Sequence, residues 1–317
     1  MENRKAEINL GFLCNNRCKF CVSDVPPEEQ KFIPFAQVKK ELLNFYKQGF
    51  RMVGFLGGEP TIYPHLVETV LFARKTGFQG VYLVSNGRRY CDPEFLKKII
   101  RAGVSRFYIS IHSHKASVED SLTAVEGGFY EKLQGLRYLA ILKKKGIIKD
   151  NVLLNVVING LNYRDLSKMI RFFFSKFGCR DFRFNFINPE GRAQHHFNLL
   201  VPRYTAVKKH LAAAAGLSKR MGINLSIGDI PFCILRGIGD FQQIVGEFRD
   251  GQRKTAIGTQ KRESFFIEKR RKNESKIKFA CCKICMYNLY CEGIWRYYAK
   301  HFGNKEFKAI KQAHKID

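Results

Sequence analysis

Cys14, Cys18 and Cys21 stand at i, i+4 and i+7 within Cys14-Asn15-Asn16-Arg17-Cys18-Lys19-Phe20-Cys21. The alternating run Ala6 to Leu13 ahead of them predicts a strand, and Asp24, Pro26, Pro27, Glu28 and Glu29 behind them predict a loop. Loop backbone can turn all three thiolates toward one metal centre. Three is one short of the four ligands that a closed structural zinc site takes. On an iron–sulfur cube, three thiolates leave one iron open to a further ligand, and that is the chemistry these residues point to.

The elements around this stretch alternate. Short apolar strands are predicted at 52–56, 80–84, 106–111, 151–158 and 181–187, with helices at 35–46, 65–75, 93–102, 129–145, 163–177 and 202–221. Asp92 and Pro93 supply an N-cap and a first helical residue. Six strand–helix units in order predict an α/β fold, a partial (β/α)6 TIM-type barrel with helices outside a parallel sheet. Function in such folds gathers at the C-terminal ends of the strands. The unusual residues of this chain fall there: the three cysteines, then Gly57-Gly58-Glu59-Pro60, then Ser85-Asn86-Gly87, then Ser110 and His112.

Cys14-x3-Cys18-x2-Cys21 with Phe20 before the third cysteine, followed by Gly57-Gly58-Glu59-Pro60 at the next strand end, resembles the signature of the radical S-adenosylmethionine (SAM) superfamily. The likeness covers roughly residues 6–200. It implies that Cys14, Cys18 and Cys21 hold three irons of a [4Fe–4S] cluster whose fourth iron binds SAM. One electron from the cluster then breaks a C–S bond of SAM, and the resulting 5′-deoxyadenosyl radical takes hydrogen from substrate. The resemblance further implies that Gly57, Gly58, Glu59 and Pro60 line the SAM amino group, with Ser85, Asn86 and Ser110 beside the cofactor. Asn155 and Arg192 are weaker SAM candidates, each with an ordinary structural alternative. His112 is an acid–base candidate, against a structural role as a hydrogen-bonding residue. Cys91 and Cys179 have no partner at metal-binding spacing and read as ordinary buried thiols.

A second group, Cys282-x2-Cys285-x5-Cys291 with Cys233 upstream, offers four thiolates. It resembles the SPASM/twitch extensions of radical SAM enzymes, which implies one fully ligated auxiliary [4Fe–4S] cluster. A zinc knuckle is the alternative. Cys282 rather than Cys281 gives the family spacing. Two regions are therefore expected: a radical SAM core over 1–200, and the sixth helix with a small auxiliary-cluster domain over 201–317. A charged surface loop or insertion is expected near 249–278.

The formal charge is +27, and residues 201–317 carry 24 of the 55 basic residues against 10 of the 28 acidic ones. Such an excess suits an acidic peptide, an anionic small molecule or, less well, nucleic acid. No apolar run is long enough for a membrane span, and Met1 to Lys5 lead straight into a strand. A cytoplasmic enzyme is expected, with thiols serving as ligands rather than disulfides. The resemblance implies a radical enzyme of oxidoreductase or carbon-bond-forming type, reduced by a donor such as flavodoxin or ferredoxin. Modification of a peptide or protein leads, with the auxiliary cluster taking up an electron or binding substrate. Small-molecule cofactor or secondary-metabolite synthesis is the alternative. A non-enzymatic iron–sulfur or nucleic-acid-binding protein fits poorly with the intact first motif.

Overall fold

A computed structural model describes residues 5–150, 152–238, 255–259, 262–266 and 275–311. Seven strands run parallel in chain order: β1 (Lys5–Asn9), β2 (Met52–Leu56), β3 (Gly80–Ser85), β4 (Val104–Ser110), β5 (Leu153–Ile158), β6 (Asp181–Phe186) and β7 (Asn224–Gly228). The sheet curls into a half-barrel. Its crossovers are α1 (Phe35–Lys47), α2 (Leu66–Thr76), α3 (Pro93–Ala102), α4 (Ala116–Thr123), α5 (Gly128–Lys144), α6 (Leu166–Phe177), the single turn α7 (Phe197–Leu200) and α8 (Tyr204–Arg220). The Asp92 carboxylate caps α3 by accepting from the amides of Glu94 and Phe95, as its sequence predicts.

Strand alternation divides the sheet into two faces. Phe107, Ile109, Leu154, Val156, Phe182, Phe184 and Phe186 are buried toward the helices, and Phe186 stacks on Tyr204 of α8 at 4.1 Å between ring centroids. The alternate residues, among them Ser110, Asn155, Arg183 and Asn185, are half-buried on the opposite, concave face. That face is unusually polar for a barrel interior.

Two features depart from the sequence reading. The helix α4 lies in a stretch without an obvious period. The charged stretch near 249–278, expected as a surface loop or insertion, contains β8 (Thr255–Thr259), which pairs parallel to β1, and β9 (Arg262–Phe266), antiparallel to β8. Residues 249–254, 260–261 and 267–274 of that stretch lie outside the described residues. The sheet thus draws strands from residues beyond 200.

The C-terminal region follows the short helix α9 (Phe232–Leu235) and contains the two-stranded antiparallel pair β10 (Lys276–Ile277) and β11 (Ile294–Trp295), then α10 (Arg296–Phe302). Lys276 is buried against Asp229 at 2.9 Å and Glu292, over the Trp295 ring. The Tyr298 hydroxyl accepts from the Tyr204 amide at 3.0 Å and docks α10 on α8. The described residues contain no helix long and apolar enough to cross a membrane.

Candidate active site

The cysteine loop leaves β1 through Gly11, whose φ of +130° and whose distance of 2.3 Å from a would-be Cβ to the Lys31 carbonyl exclude a side chain. Residues 31–33 staple the loop base: Phe12 N donates to Lys31 O at 3.0 Å and Ile33 N to Leu10 O at 2.9 Å. At its far end, Arg17 N and Lys19 N donate to the carbonyls of Thr123 and Leu122, at the end of α4. Arg88, ion-paired with Glu131, donates to Asn15 O at 2.7 Å and to Asn16 Oδ1 at 3.1 Å. Asn86 Nδ2 donates to Asn15 Oδ1 at 2.7 Å. The loop is therefore held by strands one and three and by two helices before any metal binds.

Cys14, Cys18 and Cys21 are all half-buried. Burial pushes the Cys14 thiol up to about 11, with Glu59 and Cys21 adding to the rise. Burial takes Cys18 up to about 12, against the pull of the Lys132 ammonium. Thiols so placed ionise when a metal cation arrives rather than before it.

The Gly57-Gly58-Glu59-Pro60 turn packs directly onto this loop. Gly58 N donates to Gly11 O at 2.7 Å and Glu59 N to Leu13 O at 2.8 Å. A Cβ on Gly58 would lie 2.0 Å from the Leu13 carbonyl oxygen, and one on Gly57 2.3 Å from Asn9 Oδ1. The glycines permit backbone to meet backbone at the mouth of the cysteine loop. Pro60 is buried and opens a 3-10 turn, Pro60–Ile62.

Glu59 of the Gly57–Pro60 turn is enclosed, at 2% exposure. Its Oε1 accepts from Thr61 N at 2.9 Å, Thr61 Oγ1 at 2.6 Å and Ser85 Oγ at 2.7 Å, and its Oε2 from Asn86 N at 2.7 Å. Ser85 Oγ also accepts from Gly87 N at 2.9 Å. Glu59 and Ser85 are thus a brace joining strand ends two and three. Asn86, with its Nδ2 on Asn15 and its Oδ1 taking the Arg88 amide at 3.0 Å, belongs to the same brace. Three donors on Oε1 and one on Oε2 hold the Glu59 carboxylate in place between the strand ends.

Ser110 and Asn155 are register partners on β4 and β5, and Asn155 Oδ1 accepts from Asn185 Nδ2 at 2.9 Å. Both stand on the concave face. His112, read from sequence as an acid–base candidate or a structural hydrogen-bonding residue, lies just past the end of β4. Its ring is buried, Nδ1 accepts from Val157 N at 3.1 Å, and burial takes its pKa down to about 4. It is neutral at ordinary pH, with Phe20 packed edge-on against it at 4.6 Å.

Two residues missed in the sequence lie beside it. The Glu119 carboxylate of α4 accepts from His112 N at 2.7 Å and Ser113 N at 2.8 Å. Its other oxygen meets Lys132 Nζ of α5 at 2.5 Å, with both side chains at 1% exposure or less. Lys132 also donates to Ser110 O at 3.0 Å. Burial would raise Glu119, but Lys132, His112 and the hydrogen bonds hold it below the usual carboxylate range. The signal available in the sequence was a lysine on the apolar stripe of α5, in phase with Phe129, Leu136 and Leu139.

Arg192 reaches the cysteine loop through backbone: its amide donates to Cys21 O at 2.9 Å, and a Cβ on Gly191 would lie 2.6 Å from that oxygen. Its guanidinium lies 3.7 Å from Asp24.

The second cysteine group converges as well. Cys233, Cys281, Cys282, Cys285 and Cys291 line one small cavity with Phe232, Lys278 and Phe307. Cys285 N donates to Cys282 O at 3.2 Å, the same turn that Cys21 N makes with Cys18 O at 3.2 Å. Burial pushes Cys233 up to about 11, with Cys291, Cys282 and Cys285 adding to the rise. Cys281 Sγ faces the Phe307 carbonyl at 3.8 Å. Cys91 and Cys179 sit elsewhere, in the turn Arg88–Cys91 and after α6. Among the described residues, no three His, Cys, Asp or Glu side chains converge closely enough to share one metal ion.

A half-barrel with three thiols on the loop after its first strand defines a class. Residues 8–173, just over half of the chain, match the radical SAM superfamily, and the chain belongs to it. A [4Fe–4S] cluster and SAM are the family's cofactors, and the three half-buried thiols fit the first of them. Among curated proteins, it is 27% identical over 173 residues to GTP 3',8-cyclase of Synechococcus elongatus, covering 53% of this chain and 51% of that protein. It is 27% identical over 171 residues to 7,8-dihydro-6-hydroxymethylpterin dimethyltransferase of Methanocaldococcus jannaschii, covering 53% of this chain and 33% of that protein. The chain thus matches about half or less of the length of these relatives. In fold it is similar to Streptococcus suis SuiB bound to precursor peptide SuiA, with a TM-score of 0.67, 12% identity, and coverage of 96% of this chain and 74% of that one. It is also similar to anSMEcpe with bound AdoMet and Cp18Cys peptide, with a TM-score of 0.63, 13% identity, and coverage of 96% and 93%.

Proposed function

We propose that this chain cleaves SAM reductively and modifies a peptide or protein, with an auxiliary [4Fe–4S] cluster beside the barrel. The observation that carries the reading is the pairing of two separate cysteine groups on one chain: three thiols at the mouth of a polar half-barrel, and four thiols with a fifth lining one small cavity. The fold likeness to SuiB and anSMEcpe runs through both sites and supports the peptide reading.

Cys14, Cys18 and Cys21 would hold the first cluster, which supplies the electron that opens the C–S bond of SAM. The chain's own work is orientation and exclusion of water. The brace of Glu59, Ser85 and Asn86 fixes the strand ends around the loop, and Glu59 Oε2 or backbone carbonyls of the Gly57–Pro60 turn would accept from the SAM ammonium. Ser110 and Asn155 present polar groups to the lumen, and Arg192 closes the loop at Cys21. Cys233, Cys282, Cys285 and Cys291 would hold the auxiliary cluster.

A second reading has its own support. The sequence likeness to GTP 3',8-cyclase favours a small anionic substrate. The two separate in one assay: reconstituted, reduced enzyme with SAM is given GTP or a synthetic acidic peptide, and 5′-deoxyadenosine is quantified by mass spectrometry. Release stimulated by GTP alone would overturn the peptide reading. No release under any condition would overturn both.

A further inference from the structure

The concave face of the sheet carries a cation, Arg183, with no ion-pair partner among the described residues. Arg183 is on β6, where alternation sends Phe182 and Phe184 to the helices and Arg183 to the lumen. The residue is half-buried, and its Nε is wholly buried without a hydrogen-bond partner. Among the described residues, no carboxylate stands within ion-pair distance of its guanidinium.

The polar groups around it are taken up by one another. Across the lumen, the Tyr82 hydroxyl of β3 donates to Glu7 Oε1 of β1 at 3.1 Å, and the Tyr82 and Tyr108 rings lie 4.8 Å apart. The space beneath Tyr82 is made by Gly54, where a Cβ would fall 2.2 Å from the tyrosine ring. Toward the strand ends, Asn185 is tied to Asn155. Burial drives the Tyr82 phenol well above its ordinary value, with Glu7 adding to the rise and Arg183 opposing it, which places the guanidinium charge within reach of that side of the lumen.

A partly desolvated guanidinium without a partner is unfavourable unless a ligand completes it. Its planar fork of donors matches a pair of oxygens on carboxylate or phosphate. We propose that Arg183 receives an anionic group of the substrate, carboxylate or phosphate, within the lumen. This rests on the reading that the lumen holds the substrate, and it names a binding group on β6 apart from the cysteine loop and the Gly57–Pro60 turn.

The test uses cluster-loaded protein at saturating SAM, so that the cofactor's own carboxylate cannot be the anion measured. Ligand-observed NMR gives dissociation constants for N-acetylglutamate amide, for its neutral counterpart N-acetylglutamine amide, and for pyrophosphate. Wild type is expected to bind one of the two anions at least about tenfold more tightly than the neutral amide, and the anion preferred identifies the source. Arg183→Met should abolish that preference, and Arg183→Lys should keep part of it. Equal anion binding by Arg183→Met and wild type would overturn the proposal. So would the absence of any anion preference in wild type, a comparison that needs no variant to fold. Reductive release of 5′-deoxyadenosine by wild type is measured alongside. Its absence would refute the radical reading without altering the meaning of the anion result.

Discussion

The neutral, buried His112 gives a stability prediction with a defined sign. Its ring loses hydration on folding and its Nδ1 is spent on the Val157 amide, so the folded protein holds its pKa near 4 against an ordinary value of 6.5. Between these values the unfolded chain binds the proton and the folded chain does not. Stability therefore falls as pH drops from 6.5 toward 4 and is restored as pH rises. From pH 7 to pH 5 the loss from this residue is about 2 kcal/mol. His112→Asn keeps an acceptor where Nδ1 stood but cannot titrate. Its smaller side chain lowers stability by a similar amount at every pH and leaves the other groups to titrate as before.

Urea unfolding of wild type and His112→Asn at pH 7 and pH 5, under the same anaerobic conditions, measures the difference in slope. Wild type should lose about 2 kcal/mol more than the variant over that interval. Glu119 is held below its ordinary 4.5, so its own contribution is lost only at lower pH and does not enter this window. Identical pH dependence in the two proteins would refute the burial argument and return His112 to the list of ionisable groups available for chemistry.

Lys132→Met or Glu119→Gln alone should each destabilise by about 3–5 kcal/mol, because either leaves a buried partner uncompensated, and urea unfolding of the double variant should show less than the sum. Gly58→Ala places a Cβ 2.0 Å from the Leu13 carbonyl oxygen, and both are backbone-fixed. Iron analysis should then find loss of the first cluster alone, with about four irons per chain remaining. Cys281→Ser should keep about eight irons per chain and Cys282→Ser only about four, since Cys282 makes the turn shared with Cys18 and Cys21. Zinc in place of iron at the second site would sink the auxiliary-cluster assignment.

The parallel barrel was legible because each strand–helix unit carries its own period and its own stop. Gly77 and Gly178, for example, take up left-handed backbone just past α2 and α6. What could not be read is whatever depends on a distant partner. The eight residues of α4 are too few for a period to stand out, yet they deliver Glu119. The strand β8 is fixed by pairing with β1, some 250 residues away in sequence, and lies in a stretch whose charge predicts a loop. The same holds within the site. Motif and spacing identify Glu59 as a special residue, but only the surrounding Thr61, Ser85 and Asn86 donors reveal that its carboxylate braces two strand ends.

The two cysteine sites share a turn and differ in what surrounds it. At both, the second cysteine of a Cys-x2-Cys pair donates its amide to the first at 3.2 Å. At the first site only one further cysteine precedes the turn, and beyond the thiols lies the concave face with Ser110, Asn155 and Arg183, whose Nε has no hydrogen-bond partner among the described residues. At the second, Cys233, Cys281 and Cys291 line one small cavity with the pair, together with Phe232, Lys278 and Phe307. A cluster at the first site would therefore keep a position to which a small chelating molecule can be brought, while one at the second would be fully ligated by protein. On that division of labour, radical formation belongs to the cysteine loop. Discrimination between substrates would then belong to the lumen, where an anion facing Arg183 would sit apart from the SAM contacts of the strand ends.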